Sequence, residues 1–213
     1  MREDKEIFEK IYEKLGAVWT RTEPQQELVE LVESGKIKPC KAIDIGCGEG
    51  YYSIYLASKG FNVTGIDLSK KAIQYAKENA AKHKVKINFK AIDIANLKKI
   101  KEKFDFILEW GVMHHIMPPQ RQKYIEKVSN LLNKDGKYLS VCFNEQSPEF
   151  GGVGKKYRTG GSSGTSLYYS SQKELRELFE PHFRIIEAKI IQMMSGGKTA
   201  TPHIGNYFFM KKL

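Results

Sequence analysis

The chain has 213 residues, 41% of them hydrophobic and 28% charged, a composition that suits a soluble protein able to bury a core without covalent staples. Three scattered cysteines with no C-x-x-C exclude a disulfide framework and a metal site, and no apolar run approaches the roughly 20 residues that span a bilayer. The net charge of +10 suits an acidic partner, but the basic residues are spread out and their densest runs, "KKIKEKF" and "GKKYR", are short and mixed, so a nucleic-acid partner is not favoured.

The first segment, "MREDKEIFEK", is charged and lacks an apolar signal region, which predicts a cytoplasmic protein. Ile7, Phe8, Ile11, Tyr12 and Leu15 recur at helical spacing. "TEPQQELVELVESG" predicts a second helix, with Thr22 as cap, Pro24 in the first turn and Gly35 as stop. Residues 1–35 thus read as a helical cap segment, and the loop "GAVWTRT" inside it carries Trp19 and Arg21. Strand and helix then alternate. "KAIDIG", "NVTGIDL", "INFKAIDI", "FDFILEW" and "KYLSVCFN" read as strands, and "YYSIYLASKG", "SKKAIQYAKENAAKH" and "PPQRQKYIEKVSNLLNKDG" as helices between them. A helix, "SSQKELRELFEP", and two strands, "FRIIEAKII" and "NYFFMKKL", close the chain.

Such alternation calls for a doubly wound α/β fold: seven strands, mostly parallel, joined by right-handed crossovers with helices on both faces. The last two strands have no helix between them and form an antiparallel C-terminal hairpin. Residues 144–170, "NEQSPEFGGVGKKYRTGGSSGTSLYYS", are rich in Gly and Ser without a period; they read as a flexible lid on a single domain covering 1–213.

The first strand ends in "DIGCGEG", three glycines in five residues. A phosphate-binding P-loop, G-x-x-x-x-G-K-[ST], is absent. The dinucleotide spacing G-x-G-x-x-G fails from either starting glycine, because Tyr51 or Ser53 stands where the third would be. The spacing is G-x-G-x-G, with Asp44 two residues ahead of Gly46. A carboxylate there repels a pyrophosphate and accepts from an ammonium group. Asp67 ends the second strand, placed for the two hydroxyls of a ribose. Asp93 and Ile94 end the third, beside a base edge, and Glu109 ends the fourth. A ribose, a base and a cation are expected, which argues against NAD.

"AIDIGCGEG", "GIDLS", "AIDI" and "FDFILEWGVMHHI", in this order and spacing, resemble the class I S-adenosylmethionine-dependent methyltransferases over about residues 40–145. The resemblance implies a Rossmann-like fold, S-adenosylmethionine as cofactor and S-adenosylhomocysteine as product. It implies that Asp44, Gly46, Cys47, Gly48 and Gly50 surround the aminocarboxypropyl group. Asp67 would take the ribose hydroxyls, Leu68, Asp93 and Ile94 the adenine, and Glu109 and Trp110 would border the sulfonium. Trp19 and Arg21 would close over the cofactor. Plain core packing of Trp110, and packing plus a surface charge at Trp19 and Arg21, are the competing readings.

His115 is the candidate acid or base, and His114, Tyr168 and His203 the candidate acceptor contacts, with Tyr157, Tyr169, Met193 and Met194 nearby; a structural role for His115 and a backbone-bonded His203 are the competing readings. For Tyr168 and Tyr169, packing at a helix entry competes. The short chain and the lack of an Asn-Pro-Pro-Tyr motif favour a small-molecule acceptor. An RNA or protein methyltransferase, and a cofactor-binding protein without catalysis, stay open beside it. The acceptor atom and the oligomeric state are not readable.

Overall fold

A computed structural model of the chain describes residues 2–15, 19–160, 164–193 and 202–213. Met194 and the rest of 194–201 lie outside the described residues. In chain order the elements are α1 (Arg2–Leu15), α2 (Gln26–Glu33), β1 (Lys41–Ile45), α3 (Tyr51–Ser58), β2 (Asn62–Asp67), α4 (Lys70–Lys82), β3 (Asn88–Ala91) and β4 (Phe104–Trp110). There follow α5 (Pro118–Leu131), β5 (Leu132–Phe143), β6 (Tyr157–Gly160), β7 (Thr165–Tyr168), α6 (Gln172–Phe179), β8 (Phe183–Met193) and β9 (His203–Lys212). Among these, no helix is long and apolar enough to cross a membrane.

Seven strands form one sheet in the order β3-β2-β1-β4-β5-β9-β8. The first five in that order run parallel, and β9 and β8 add an antiparallel edge. The chain winds from β1 outward to β3 and returns to β4 on the other side of β1. This reversal opens a crevice at the carboxyl ends of β1 and β4, the place where such sheets bind ligands.

Alternation along each strand sends side chains to two cores. Ile43, Ile107, Tyr138 and Phe208 pack under α5 and α6, while Ala42, Phe106, Leu108 and Phe209 pack under α2 and α3. Phe104 joins the first set against parity because the pairing of β4 with β5 slips between Phe104 and Phe106.

Several boundaries differ from the pattern-based expectation. The second helix starts at Gln26, with Gln25 in the cap position and its carbonyl accepting the first helical bonds; Thr22 and Pro24 precede it. β3 stops at Ala91, because the Asp93 side chain accepts from Ala95 N–H at 2.7 Å and starts a 3-10 turn. The helix before β5 ends at Leu131, and residues 133–136 belong to β5. Residues 144–170 are not structureless: β6 and β7 form an antiparallel hairpin. Arg158 gathers the stretch before it, donating to the carbonyls of Glu145, Ser147, Glu149 and Lys155. Such long-range donors leave no period in a sequence.

Glu109 corrects the expectation that it borders the sulfonium. It shares parity with Ile107, so it points under α5 while Trp110 faces the crevice. Fully buried, it accepts from Met113 N–H at 2.7 Å and from the hydroxyls of Tyr138, Ser140 and Tyr124. Burial raises its pKa, and the bonds from Tyr138, Met113 and Ser140 oppose that rise. Its work is to pin the turn that follows β4. Glu109→Ala strands a buried N–H and two tyrosine hydroxyls, so it should cost about 3–5 kcal/mol in denaturant unfolding, with Glu109→Gln costing clearly less. An alanine variant as stable as the parent would refute this role.

Candidate active site

The glycine turn after β1 is held from within. Gly46 and Cys47 N–H both donate to Ile66 O, at 2.8 and 2.9 Å, Gly50 N–H donates to Cys47 O, and Gly48 N–H donates to Asp67 Oδ2 at 2.9 Å. Gly46 has φ +73, and a Cβ there would meet Val112 Cγ2 at 2.2 Å. At Gly48, φ +53, a Cβ would meet the Tyr12 hydroxyl at 2.9 Å. These four N–H groups already have protein acceptors, so the turn is not a phosphate cradle, where free amides aim at the ligand.

What the turn presents instead is carboxyl groups. Asp44 is buried at the end of β1, and its Oδ2 accepts from Ser53 Oγ at 2.7 Å. Burial pushes its pKa up to about 7; the Ser53 bond pulls it back and the nearby Asp67 adds to the rise. Asp67 is also raised by burial, against the pull of N–H bonds from Ser69, Gly48 and Leu68. Its Oδ1 accepts from Ser69 N–H and its Oδ2 from Gly48 N–H, and each oxygen keeps a lone pair that can face a ligand. Burial first, and then both aspartates, push the Cys47 thiol well up, which favours its neutral form. One buried and one half-buried carboxyl, with the turn's amides bonded within the protein, suit a ligand with a cationic group and hydroxyls.

A cavity of about 460 Å³ runs from this turn along the carboxyl ends of the strands. It brings together Asp44, Gly46, Cys47, Gly48 and Gly50 with Asp67, Leu68, Asp93 and Ile94. Trp110, Trp19, Arg21, His114, His115 and His203 also line it. Asp93 does so while capping its own 3-10 turn. Trp110 both faces the cavity and packs edge-on against Tyr52 at 5.4 Å, so its two readings coexist.

Tyr168 lies outside the cavity. Alternation in β7 puts Leu167 on the wall and turns Tyr168 away, where its hydroxyl donates to Glu174 at 2.7 Å and its ring lies under Arg121. Glu109 is outside too, for the parity reason given above.

Sequence reasoning missed much of the roof. α1 lies across the glycine turn: Tyr12 accepts from Trp19 Nε1 at 3.3 Å, and Phe8 meets the rings of Trp19 and His115 edge-on at 6.1 and 5.0 Å. The helical spacing of Phe8 and Tyr12 was visible, but not the surface they cover. At the far end Phe143, Phe150, Leu167 and Met193 make an apolar wall. Phe143 stacks on His114 at 3.8 Å with an interplanar angle of 5°, and its N–H donates to His114 Nδ1. Burial, with help from His115 and His203, holds the His114 pKa well below its usual value, so its ring stays neutral. Arg121 fixes this end by donating to Ile116 O, Met113 O and Ser170 Oγ.

Comparison with known proteins agrees with this geometry. Residues 37–181 match a family model described as a methyltransferase domain. The chain is 25% identical over 202 residues to the 2-heptyl-1-hydroxyquinolin-4(1H)-one methyltransferase of Mycobacteroides abscessus, covering 90% of this chain and 82% of that protein. It is 38% identical over 123 residues to the ubiquinone biosynthesis O-methyltransferase of Pelagibacter ubique, covering 57% of this chain and 50% of that protein. The fold is shared with the 1,6-didemethyltoxoflavin-N1-methyltransferase of Burkholderia thailandensis at a TM-score of 0.77 and 20% identity, over 98% of this chain and 86% of that one. The chain belongs to the S-adenosylmethionine-dependent methyltransferases.

Proposed function

We propose that the chain methylates a small, flat, largely apolar acceptor. The observation that carries this reading is the two-ended cavity, with the carboxyls of Asp44 and Asp67 at one end and an aromatic, apolar wall at the other. Its volume of about 460 Å³ lies in the range of small-molecule sites and is shared by donor and acceptor, so the acceptor is about one or two rings in size. Two relatives are named for a heptyl-hydroxyquinolone and for ubiquinone biosynthesis, which supports an apolar ring compound. The free thiols Cys40, Cys47 and Cys142 support a cytoplasmic setting.

In this reading Asp67 holds the ribose hydroxyls, and Leu68, Asp93 and Ile94 surround the adenine. Asp44 faces the ammonium of the methionine part, beside Gly46, Cys47, Gly48 and Gly50. Trp19 and Arg21 cover the cofactor from the N-terminal segment, and Trp110 borders the reacting centre. When bound, S-adenosylmethionine supplies an already activated methyl group, so the chain's own tasks are alignment and exclusion of water. α1 and the β6–β7 hairpin, which lines the cavity through Gly160, Thr165 and Leu167, serve the second task.

Asp67 braces the glycine turn as well as facing the ligand, so Asp67→Asn is the better test because it keeps an acceptor in place. It should weaken S-adenosylmethionine binding by about 1–3 kcal/mol through loss of charge-assisted hydrogen bonds. Calorimetry showing unchanged affinity would remove the ribose assignment.

Asp44 generates a pH dependence. Its folded pKa of about 7 exceeds the ordinary aspartate value of about 3.9, so between those limits the folded, unliganded chain holds a proton that the unfolded chain releases. The Asp44 contribution to stability is therefore complete below about pH 4 and is lost as pH rises through about 7. Cofactor binding runs the opposite way, because the ammonium favours the ionised carboxyl. Titrations at pH 6 in buffers of different ionisation enthalpy should reveal release of nearly one proton per cofactor, and at pH 8 almost none. Heats independent of buffer at pH 6 would contradict the Asp44–ammonium pairing.

A further inference from the structure

The acceptor end of the cavity holds a histidine–carboxylate pair. His203 opens β9 and lines the cavity. Its Nδ1 lies 3.2 Å from Glu149 Oε2, close enough for an ion pair though not aligned as a hydrogen bond. The two side chains are only 11% and 12% exposed.

The pair is braced on both sides. The Ser147 hydroxyl donates to the same Glu149 oxygen and accepts from Ile204 N–H at 2.8 Å, tying the residue after His203 to the segment that carries Glu149. Arg158 Nη1 donates to Glu149 O at 2.5 Å and to Ser147 O at 2.6 Å, while its guanidinium stacks on Tyr169 at 3.7 Å. The His203 ring leans on Phe143, with centroids 4.6 Å apart. Glu149 Oε1 is buried without a hydrogen-bond partner. A carboxylate with one oxygen buried and unpartnered is favoured by a cation beside it. The neighbour able to become that cation is His203. With Nδ1 turned to Glu149, Nε2 is the ring nitrogen left to meet a ligand in the cavity.

We propose that His203 is the general base for methyl transfer to a neutral hydroxyl group, with Glu149 as its positioning carboxylate; this rests on the small-acceptor reading above. His203 Nε2 takes the hydroxyl proton as the acceptor oxygen forms its bond to the methyl carbon. The carbon–sulfur bond breaks with its electron pair left on sulfur, and the new imidazolium charge is balanced by Glu149. His114, also in the cavity, is the poorer base: Nδ1 is taken by Phe143 N–H, and burial disfavours its charged form.

The test uses the full chain and its His203→Gln, Glu149→Gln and His115→Gln variants with S-adenosylmethionine and a panel of hydroxyquinolines and phenols. The panel includes polyfluorinated phenols already ionised at the assay pH. His203→Gln should lower kcat about 10²–10³-fold on acceptors that are neutral at that pH, the usual size of a general-base contribution, and far less on ionised ones. Glu149→Gln should show the same selectivity to a smaller degree, and calorimetric affinity for the cofactor should be unchanged in both. A second readout needs no turnover. Bound 4-nitrophenol, whose absorbance reports its ionisation, should be more ionised in the parent than in His203→Gln at the same pH.

Equal losses on neutral and ionised acceptors, no loss at all, or a loss confined to His115→Gln would overturn the assignment and leave the small-acceptor reading standing. A parent protein that binds the cofactor but neither binds nor methylates any member of the panel would remove that reading and this assignment together.

Discussion

The bond from Gly48 N–H to Asp67 Oδ2 is the constraint on which the rest of the site depends. It ties the carboxyl end of β1 to that of β2. With the two N–H bonds to Ile66 O, it turns the amides of the glycine turn toward the sheet. The turn therefore offers a ligand carboxyl oxygens and bare backbone rather than a ring of donors. The same residue sets the roof. Because Gly48 has no Cβ, the Tyr12 hydroxyl can approach it, and Tyr12 carries Trp19 and the face of α1 with it. One hydrogen bond and one missing side chain thus fix the floor and the cover of the cofactor end.

The far end of the cavity, where the proposed acceptor would lie, is organised by two arginines. Irregular backbone has no ladder to satisfy its carbonyls, so a buried loop needs donors from elsewhere. Arg121 supplies them to the turn after β4, and Arg158 to the stretch before β6. The rigid fork of a guanidinium reaches several carbonyls in fixed directions, which a lysine cannot do. Each also lies against a tyrosine ring, Arg121 on Tyr168 and Arg158 on Tyr169. A Gly- and Ser-rich segment acquires a defined wall by this means.

These two ends were not equally legible in the sequence. Asp44, the glycines and Asp67 sit at strand ends within a few residues of the pattern that marks them, so local spacing was enough to bring them to one crevice. Glu109 also ends a strand, but its face depends on parity and its partners, Tyr124 and Tyr138, come from elements far along the chain. Strand-end position without parity misplaced it. Tyr168 failed in the same way: the adjacent Leu167 has the inward parity of β7. The hairpin itself was invisible because Arg158, not a hydrophobic period, shapes the segment before it. Phe8 and Tyr12 marked a helix face correctly, but nothing local says which surface a helix will cover.

The net charge and the charge of the cavity have opposite signs. The chain carries +10, yet several lysines are spent on surface pairs, such as Lys36 with Glu187, Lys41 with Glu102 and Lys59 with Glu33. Exposed charges of this kind are screened within about 8–10 Å at ordinary salt. Asp44 is buried and Asp67 half-buried at the cavity floor, where a charge is felt more strongly and is also harder to create. Burial first, and the nearby Asp67 charge second, raise the Asp44 pKa to about 7, which favours a proton on that carboxyl over a second full charge. A cationic ligand removes the reason for that proton. In the proposed reading, the cofactor's ammonium would complete the second charge of this carboxyl pair, largely independent of the lysines outside.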